Sequence, residues 1–266
     1  MRLGAIMIIT GLFGLMLYAF QNDDTSNMMI EKEPQEDTMT EKNNIYNYAI
    51  LPAGSIQPEG WIREQLKHDL ADGYIGSFDK VHPTVTHDVF VNQNRKSKRK
   101  FSMRKEWWSG EHEGYWKDAV IRMAFLTGQQ EFITQADEWM NELVDAGGEN
   151  GYIGIYQPGD KRGSRFNHTR ENGELWATSR ILMAMLAYYE YTGNREVLIA
   201  AQDAARLIMK HYKDENYFAK KSRGGGVSHG IGFFENLEWL YRITGKQEYL
   251  DFAEKLYEDF NSVAVR

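Results

Sequence analysis

Thr127-Gly128-Gln129-Gln130-Glu131-Phe132, Thr192-Gly193-Asn194-Arg195-Glu196-Val197 and Thr244-Gly245-Lys246-Gln247-Glu248-Tyr249 align without gaps on one template. Each continues with an aliphatic residue (Ile133, Leu198, Leu250) and, three positions further on, alanine (Ala136, Ala201, Ala253). Repetition of this kind marks a chain built from one supersecondary unit used several times. A helix stops at glycine, which takes the left-handed C-cap conformation, and the next helix starts within a few residues with Glu in its first turn. Links that short return the chain antiparallel to itself. The glycines recur after 65 and 52 residues, the length of one helix pair and a variable loop.

The first helix of a unit is the more apolar. Leu175 to Tyr191 carries Leu-Trp-Ala and then Ile-Leu-Met-Ala-Met-Leu-Ala-Tyr-Tyr with few charges, a helix buried nearly all round. The second, as in Glu248 to Phe260, places Asp251, Glu254, Lys255 and Glu258 on one side and faces solvent. Buried inner helices alternating with amphipathic outer ones predict an all-α fold of (α/α) toroid type. An open solenoid would leave both helices half exposed.

Leu3 to Phe20 is an almost unbroken apolar run behind Arg2, the form of a secretory signal peptide or an N-terminal membrane anchor, so residues 1–20 predict export. The compartment is periplasmic, extracellular or the outer face of a membrane. Residues 21–47 are polar, rich in Asp and Glu and without apolar period, and read as a disordered linker. The folded domain then spans 48–266. Its first helix lies over Trp61 to Leu70, where Ile62, Leu66 and Leu70 recur at helical spacing. The net charge of -7, with 26% charged residues, gives nothing to attract a phosphate backbone, which excludes nucleic acid as a partner. Cysteine is absent, removing disulfides, thiol nucleophiles and Cys-ligated zinc from these residues, along with a lipoprotein anchor. The aromatic content of 13% suits either ordinary packing or a surface on which sugar rings stack.

In a toroid the loops entering the inner helices gather at one end, so function is expected there. Ahead of the inner helices stand Trp107-Trp108-Ser109-Gly110-Glu111-His112-Glu113, Asn167-His168-Thr169-Arg170-Glu171-Asn172-Gly173-Glu174-Leu175-Trp176 and Gly224-Gly225-Gly226-Val227-Ser228-His229. Glycoside hydrolysis needs one carboxylic acid to protonate the leaving oxygen and a base or nucleophile opposite. Glu111 and Glu174 are the candidate catalytic carboxylates. Trp107, Trp108, His112, Glu113, His168, Glu171, Trp176 and His229 are the candidate substrate-binding residues. Each Glu taken alone fits equally a first-turn residue stabilised by the helix dipole, and each His a loop side chain satisfied by backbone. No metal ligand set is recognised.

Gly114-Tyr-Trp-Lys-Asp-Ala-Val-Ile-Arg-Met-Ala with Thr127-Gly128 and Gly151-Tyr152-Ile153-Gly154 is similar to a "KW-x-x-A … TGD … DGYLGTY" pattern. Glu174-Leu175-Trp176 with Ala187-Tyr188-Tyr189 and Thr192-Gly193 resembles "HELY … AYY-x-x-TG", and Gly60-Trp61 with Gln65-Leu66 resembles "GW-x-x-x-QL". In this order they resemble the β-L-arabinofuranosidases, glycoside hydrolase family 127, over about Leu51 to Phe260. The resemblance implies an exo-acting, retaining hydrolase on an (α/α)6 barrel, with a zinc-bound cysteine nucleophile and a glutamate acid. It further implies that roughly seven of twelve toroid helices are present, that the chain is the N-terminal portion of the catalytic domain, and that zinc would need a Glu-x-Cys motif beyond it. The pattern's "HELYCAGH" stands here as Gly173-Glu174-Leu175-Trp176-Ala177-Thr178-Ser179-Arg180, without either histidine or the cysteine. The expected partner is an oligo- or polysaccharide whose side chains are cleaved. Two other readings are a carbohydrate-binding or scaffold protein without turnover and, last, a polysaccharide lyase on a similar toroid, whose acidic substrate the acidic chain would repel.

Overall fold

The computed structural model describes residues 50–81, 89–91, 108–147, 150–156, 158, 165–166, 173–219 and 228–264. The apolar run at 1–20 and the linker at 21–47 therefore lie outside the described residues, as do Trp107, His168 and Glu171. The helices are α1 (Gly60–Ala71), α2 (Tyr74–Val81), α3 (Trp108–Thr127), α4 (Gln130–Gly147), α5 (Glu174–Thr192), α6 (Arg195–His211), α7 (Phe233–Thr244) and α8 (Gln247–Ala264). A 3₁₀ turn, His229–Gly232, leads into α7. No strand occurs among the described residues.

Three hairpins, α3/α4, α5/α6 and α7/α8, follow one another through the repeated turns. Gly128, Gly193 and Gly245 all lie in the left-handed region, at φ +70°, +70° and +65°. Their N–H groups donate to carbonyls four residues back, at 2.8, 2.7 and 2.7 Å. The threonine before each glycine has a job the sequence alone did not show. Its hydroxyl donates to the carbonyl four residues earlier, in Met123, Tyr188 and Leu240, at 2.7, 2.8 and 2.6 Å. In the second and third turns it also accepts the N–H of Asn194 and Lys246. One side chain thus ties the end of one helix to the start of the next. Asn194 completes the second link by accepting the N–H groups of Glu196 and Val197, as an N-cap does.

α5 is the centre of the structure. Thirteen of its nineteen residues are buried, Leu175, Ile181, Leu182, Met185 and Leu186 among them, and it packs on α3, α6 and α7. α3 runs along it most closely, because Gly110 and Gly114 leave room. A Cβ on Gly110 would lie 3.0 Å from Ala177 Cβ, and one on Gly114 would lie 2.6 Å from Arg180 Cβ and 2.7 Å from the Arg180 carbonyl carbon. Neither neighbour is a flexible tip. Gly114→Ala is accordingly expected to push α3 off α5 and cost about 1–3 kcal/mol, the range for overpacking a tight core. Urea unfolding followed by circular dichroism checks this; an unchanged midpoint contradicts it.

α4, α6 and α8 bury one face each and expose the other, as expected of outer helices. α6 buries Val197, Leu198, Ala201, Ala204, Ala205 and Ile208. Inner helices side by side with outer helices behind them give an incomplete (α/α) toroid. α7 departs from all-round burial, since Glu235, Glu238 and Arg242 on it are exposed. The short helix α2 was also not expected. It is anchored by Trp116, whose indole N–H donates to the Ile75 carbonyl at 2.8 Å.

Candidate functional site

Polar and aromatic residues on the inner helices fall at helical spacing, which puts them on single faces: Tyr115, Asp118 and Arg122 on α3, Trp176 and Arg180 on α5, Glu235 and Trp239 on α7. The guanidinium of Arg122 lies 5.6 Å from the Trp239 ring, so α3 and α7 meet in front of α5. These faces therefore share one side of the inner-helix layer, which in a toroid is the concave side.

Arg180 is the hub of that side. Its side chain is 5% exposed and its guanidinium lies 4.3 Å from the Trp176 ring and 5.4 Å from that of Tyr115. Nε donates to Ser179 Oγ at 2.9 Å, and Nη2 donates to the Gly232 carbonyl at 3.1 Å and to Glu235 Oε2 at 3.2 Å. Trp176 in turn meets Tyr115 edge-on at 6.2 Å and His229 at 5.3 Å. Ring faces beside fixed donors and acceptors are what a sugar needs: apolar C–H faces to stack and hydroxyls to bond.

The carboxylates here sit in unlike environments. Burial raises the carboxyl of Asp118 above its ordinary value, although Arg122 donates to it at 2.9 and 3.0 Å and opposes the shift. Glu238 is raised as well, first by burial and then by neighbouring Glu235. Glu235 is 56% exposed at its side chain and holds Arg180.

Of the sequence-predicted residues, Trp176 and His229 meet on this concave side. Trp108 and His112 meet elsewhere, in the first turns of α3, with rings 5.2 Å apart and Phe78 of α2 6.2 Å from His112. Glu111 is half-buried in the same first turn. The other two carboxylates lie in the interior. Glu113 is fully buried, paired with fully buried Lys117 at 2.9 Å, and accepts the Val89 N–H at 3.1 Å. Glu174 is 1% exposed and accepts the Tyr152 hydroxyl at 2.8 Å and the Phe166 N–H at 2.7 Å. Both carboxylates face protein groups, not the concave side. Tyr115, Asp118, Arg180, Glu235 and Trp239 were not singled out from the sequence. The available signal was a polar stripe every three or four residues along helices expected to be buried, which must face either a partner or an open axis.

A chain of three toroid hairpins with an aromatic and carboxylate-bearing concave face belongs to the class of helical-toroid, glycosidase-like proteins. Its residues 20–262 match the model of the β-L-arabinofuranosidase GH127 catalytic domain, and the chain belongs to that family. Its fold is similar to the crystal structure of a GH127 β-L-arabinofuranosidase from Geobacillus stearothermophilus T6, with a TM-score of 0.52 and 21% identity over 75% of this chain. The chain spans 30% of the length of that protein. No curated protein matches it. The zinc thiolate site that the family resemblance implies does not fit the residues present: the sequence has no cysteine, and no group of three or more His, Asp or Glu among the described residues could hold a metal.

Proposed function

We propose that this chain contributes the sugar-binding wall of an exported, β-L-arabinofuranosidase-like glycoside hydrolase that removes glycan side chains. The observation that carries this is the concave face, where Tyr115, Trp176 and Trp239 present rings beside Arg180, Asp118 and Glu235. Family membership supplies the reaction class, glycosidic hydrolysis. On this reading the monosaccharide stacks on Trp176 and Tyr115 and gives its hydroxyls to the charged groups between them. Glu111, at the mouth of α3, remains the rim carboxylate proposed for proton transfer, and export rests on the apolar run at 1–20. A non-catalytic, carbohydrate-binding protein is the second reading, favoured by Gly173, Ala177 and Arg180 standing where the family's pattern has histidine, cysteine and histidine.

Titration with methyl β-L-arabinofuranoside, followed by tryptophan fluorescence and calorimetry, tests the wall. Binding is expected, and Trp176→Ala is expected to weaken it roughly tenfold, about 1.4 kcal/mol. Incubation with p-nitrophenyl furanosides and pyranosides then separates the two readings, release of nitrophenol supporting hydrolysis and binding without release supporting the second. No binding of any glycoside overturns both.

A further inference from the structure

Arg165 and Phe166, between α4 and α5, are held against the body, and Glu174 makes part of the tie. Phe166 is the one non-glycine residue with positive φ among the described residues, at +54°. A bulky side chain holds such a backbone only when its surroundings over-determine it. Those surroundings are on all sides. The Phe166 ring stacks on His211 at 4.1 Å and 17°, and meets Tyr152 and Tyr212 edge-on at 6.0 and 6.1 Å. Its N–H donates to Glu174 Oε2 at 2.7 Å, while Tyr152 donates its hydroxyl to Glu174 Oε1 at 2.8 Å. Arg165 lies flat over the Tyr152 ring at 3.6 Å, and its Nε donates to the Tyr156 carbonyl at 3.1 Å. One buried carboxylate at the start of an inner helix thus gathers two segments that approach it from different directions.

We propose that Glu174 is a positioning residue: it clamps Phe166 in its left-handed conformation against the start of α5, at whose first turns Trp176 and Arg180 of the proposed sugar wall stand. The role rests on the sugar-wall reading for its purpose but not for its geometry. Each oxygen of the carboxylate accepts a hydrogen bond from the protein, the arrangement of a side chain that holds its neighbours in place. Charge-assisted bonds of this kind are the strong ones, and their loss leaves a buried N–H without an acceptor.

Trypsin provides the test, because Arg165 is itself a cleavage site. In the full chain, cleavage after Arg165 is expected to be slow relative to cleavage after Lys246, which lies in the exposed third turn. In Glu174→Gln, whose amide replaces one accepting oxygen with a donor, the Arg165 rate is expected to rise about tenfold, as a local opening made easier by about 1.4 kcal/mol requires, with the Lys246 rate unchanged. Tyr152→Phe is nearly isosteric and removes one of the two donors; it is expected to give a smaller rise at Arg165 alone. Equal rises at both sites in either variant would show that the substitution loosens the whole fold, and no rise at Arg165 in either would show that Glu174 holds nothing there; each outcome overturns the proposal. Because these rates are read without sugar, they stand or fall apart from the glycoside titration. With the wall reading intact, Glu174→Gln should also raise the dissociation constant of methyl β-L-arabinofuranoside; an unchanged constant with Arg165 freed would overturn the positioning role and leave the wall.

Discussion

Replacing Lys117 by methionine is expected to destabilise the chain by about 3–5 kcal/mol, a large part of what holds a domain together. Lys117 and Glu113 lie one turn apart on α3, both at zero exposure, with Nζ and Oε1 2.9 Å apart. Lys117 also lies 5.1 Å from the Trp139 ring, and Trp139 packs on Trp116 at 5.0 Å. Methionine fills nearly the same volume, so packing against the tryptophans survives. What is lost is the Lys117 counter-charge of an interior carboxylate that also accepts the Val89 N–H. A buried charge stripped of its partner costs far more than the intact pair contributes. The double variant Glu113→Gln/Lys117→Met is therefore expected to recover much of the loss, since glutamine keeps an acceptor for Val89 and carries no charge. Urea midpoints for the four members of the cycle measure the coupling. A single variant as stable as the parent would mean that the pair does not bear on stability.

The hairpins were legible because the chemistry that makes them is local. Thr-Gly followed by a first-turn Glu fits within six residues, and the hydrogen bonds it forms are as local, from the Gly193 N–H to the Tyr189 carbonyl and from the Asn194 N–H to the Thr192 hydroxyl. The inner and outer assignment followed from the same local pattern, with α5 apolar on every side and α6 on one. The site was less legible. Glu113 and Glu174 lie near helix starts, where a carboxylate serves the dipole, a substrate or a tertiary partner equally well. The partners that decide are distant in sequence: Val89 lies 24 residues from Glu113, and Tyr152 lies 22 from Glu174. The concave face was hidden for a related reason. Asp118, Arg180 and Glu235 share a surface only once three hairpins have packed side by side, and no single helix carries that surface. α2 escaped because eight residues containing Gly76 offer little helical pattern, and its anchor, the Trp116 to Ile75 bond, spans 41 positions.

The chain is expected to hold its stability to about pH 10 and then lose it steeply, through tyrosines that cannot ionise where they sit. Burial pushes the hydroxyls of Tyr152, Tyr212 and Tyr217 well above the ordinary value, and the nearby Glu174 carboxylate adds to the shift in each. Tyr188 and Tyr249 are pushed up to about 12, again first by burial. Below the unfolded value, near 10, both states keep these protons and the stability is fully present. Above it the unfolded chain releases them while the folded chain holds them, so the folded state binds more protons and stability falls as pH rises. Each such tyrosine contributes a slope of about 1.4 kcal/mol per pH unit. The three most deeply shifted together give about 4 kcal/mol per unit, which exhausts an ordinary domain's stability within about one to four units. Unfolding is thus expected above about pH 11, as a transition in which the tyrosinate absorbance of the buried tyrosines, beyond that of exposed ones such as Tyr74 and Tyr257, rises together with the loss of helical circular dichroism. Tyr152→Phe removes one of these groups and should reduce the slope by about 1.4 kcal/mol per pH unit. Absorbance that reaches its full tyrosinate amplitude near pH 10 while the helices remain would show that the buried tyrosines too are open to solvent, and would remove the interior cluster around Glu174 on which this expectation rests.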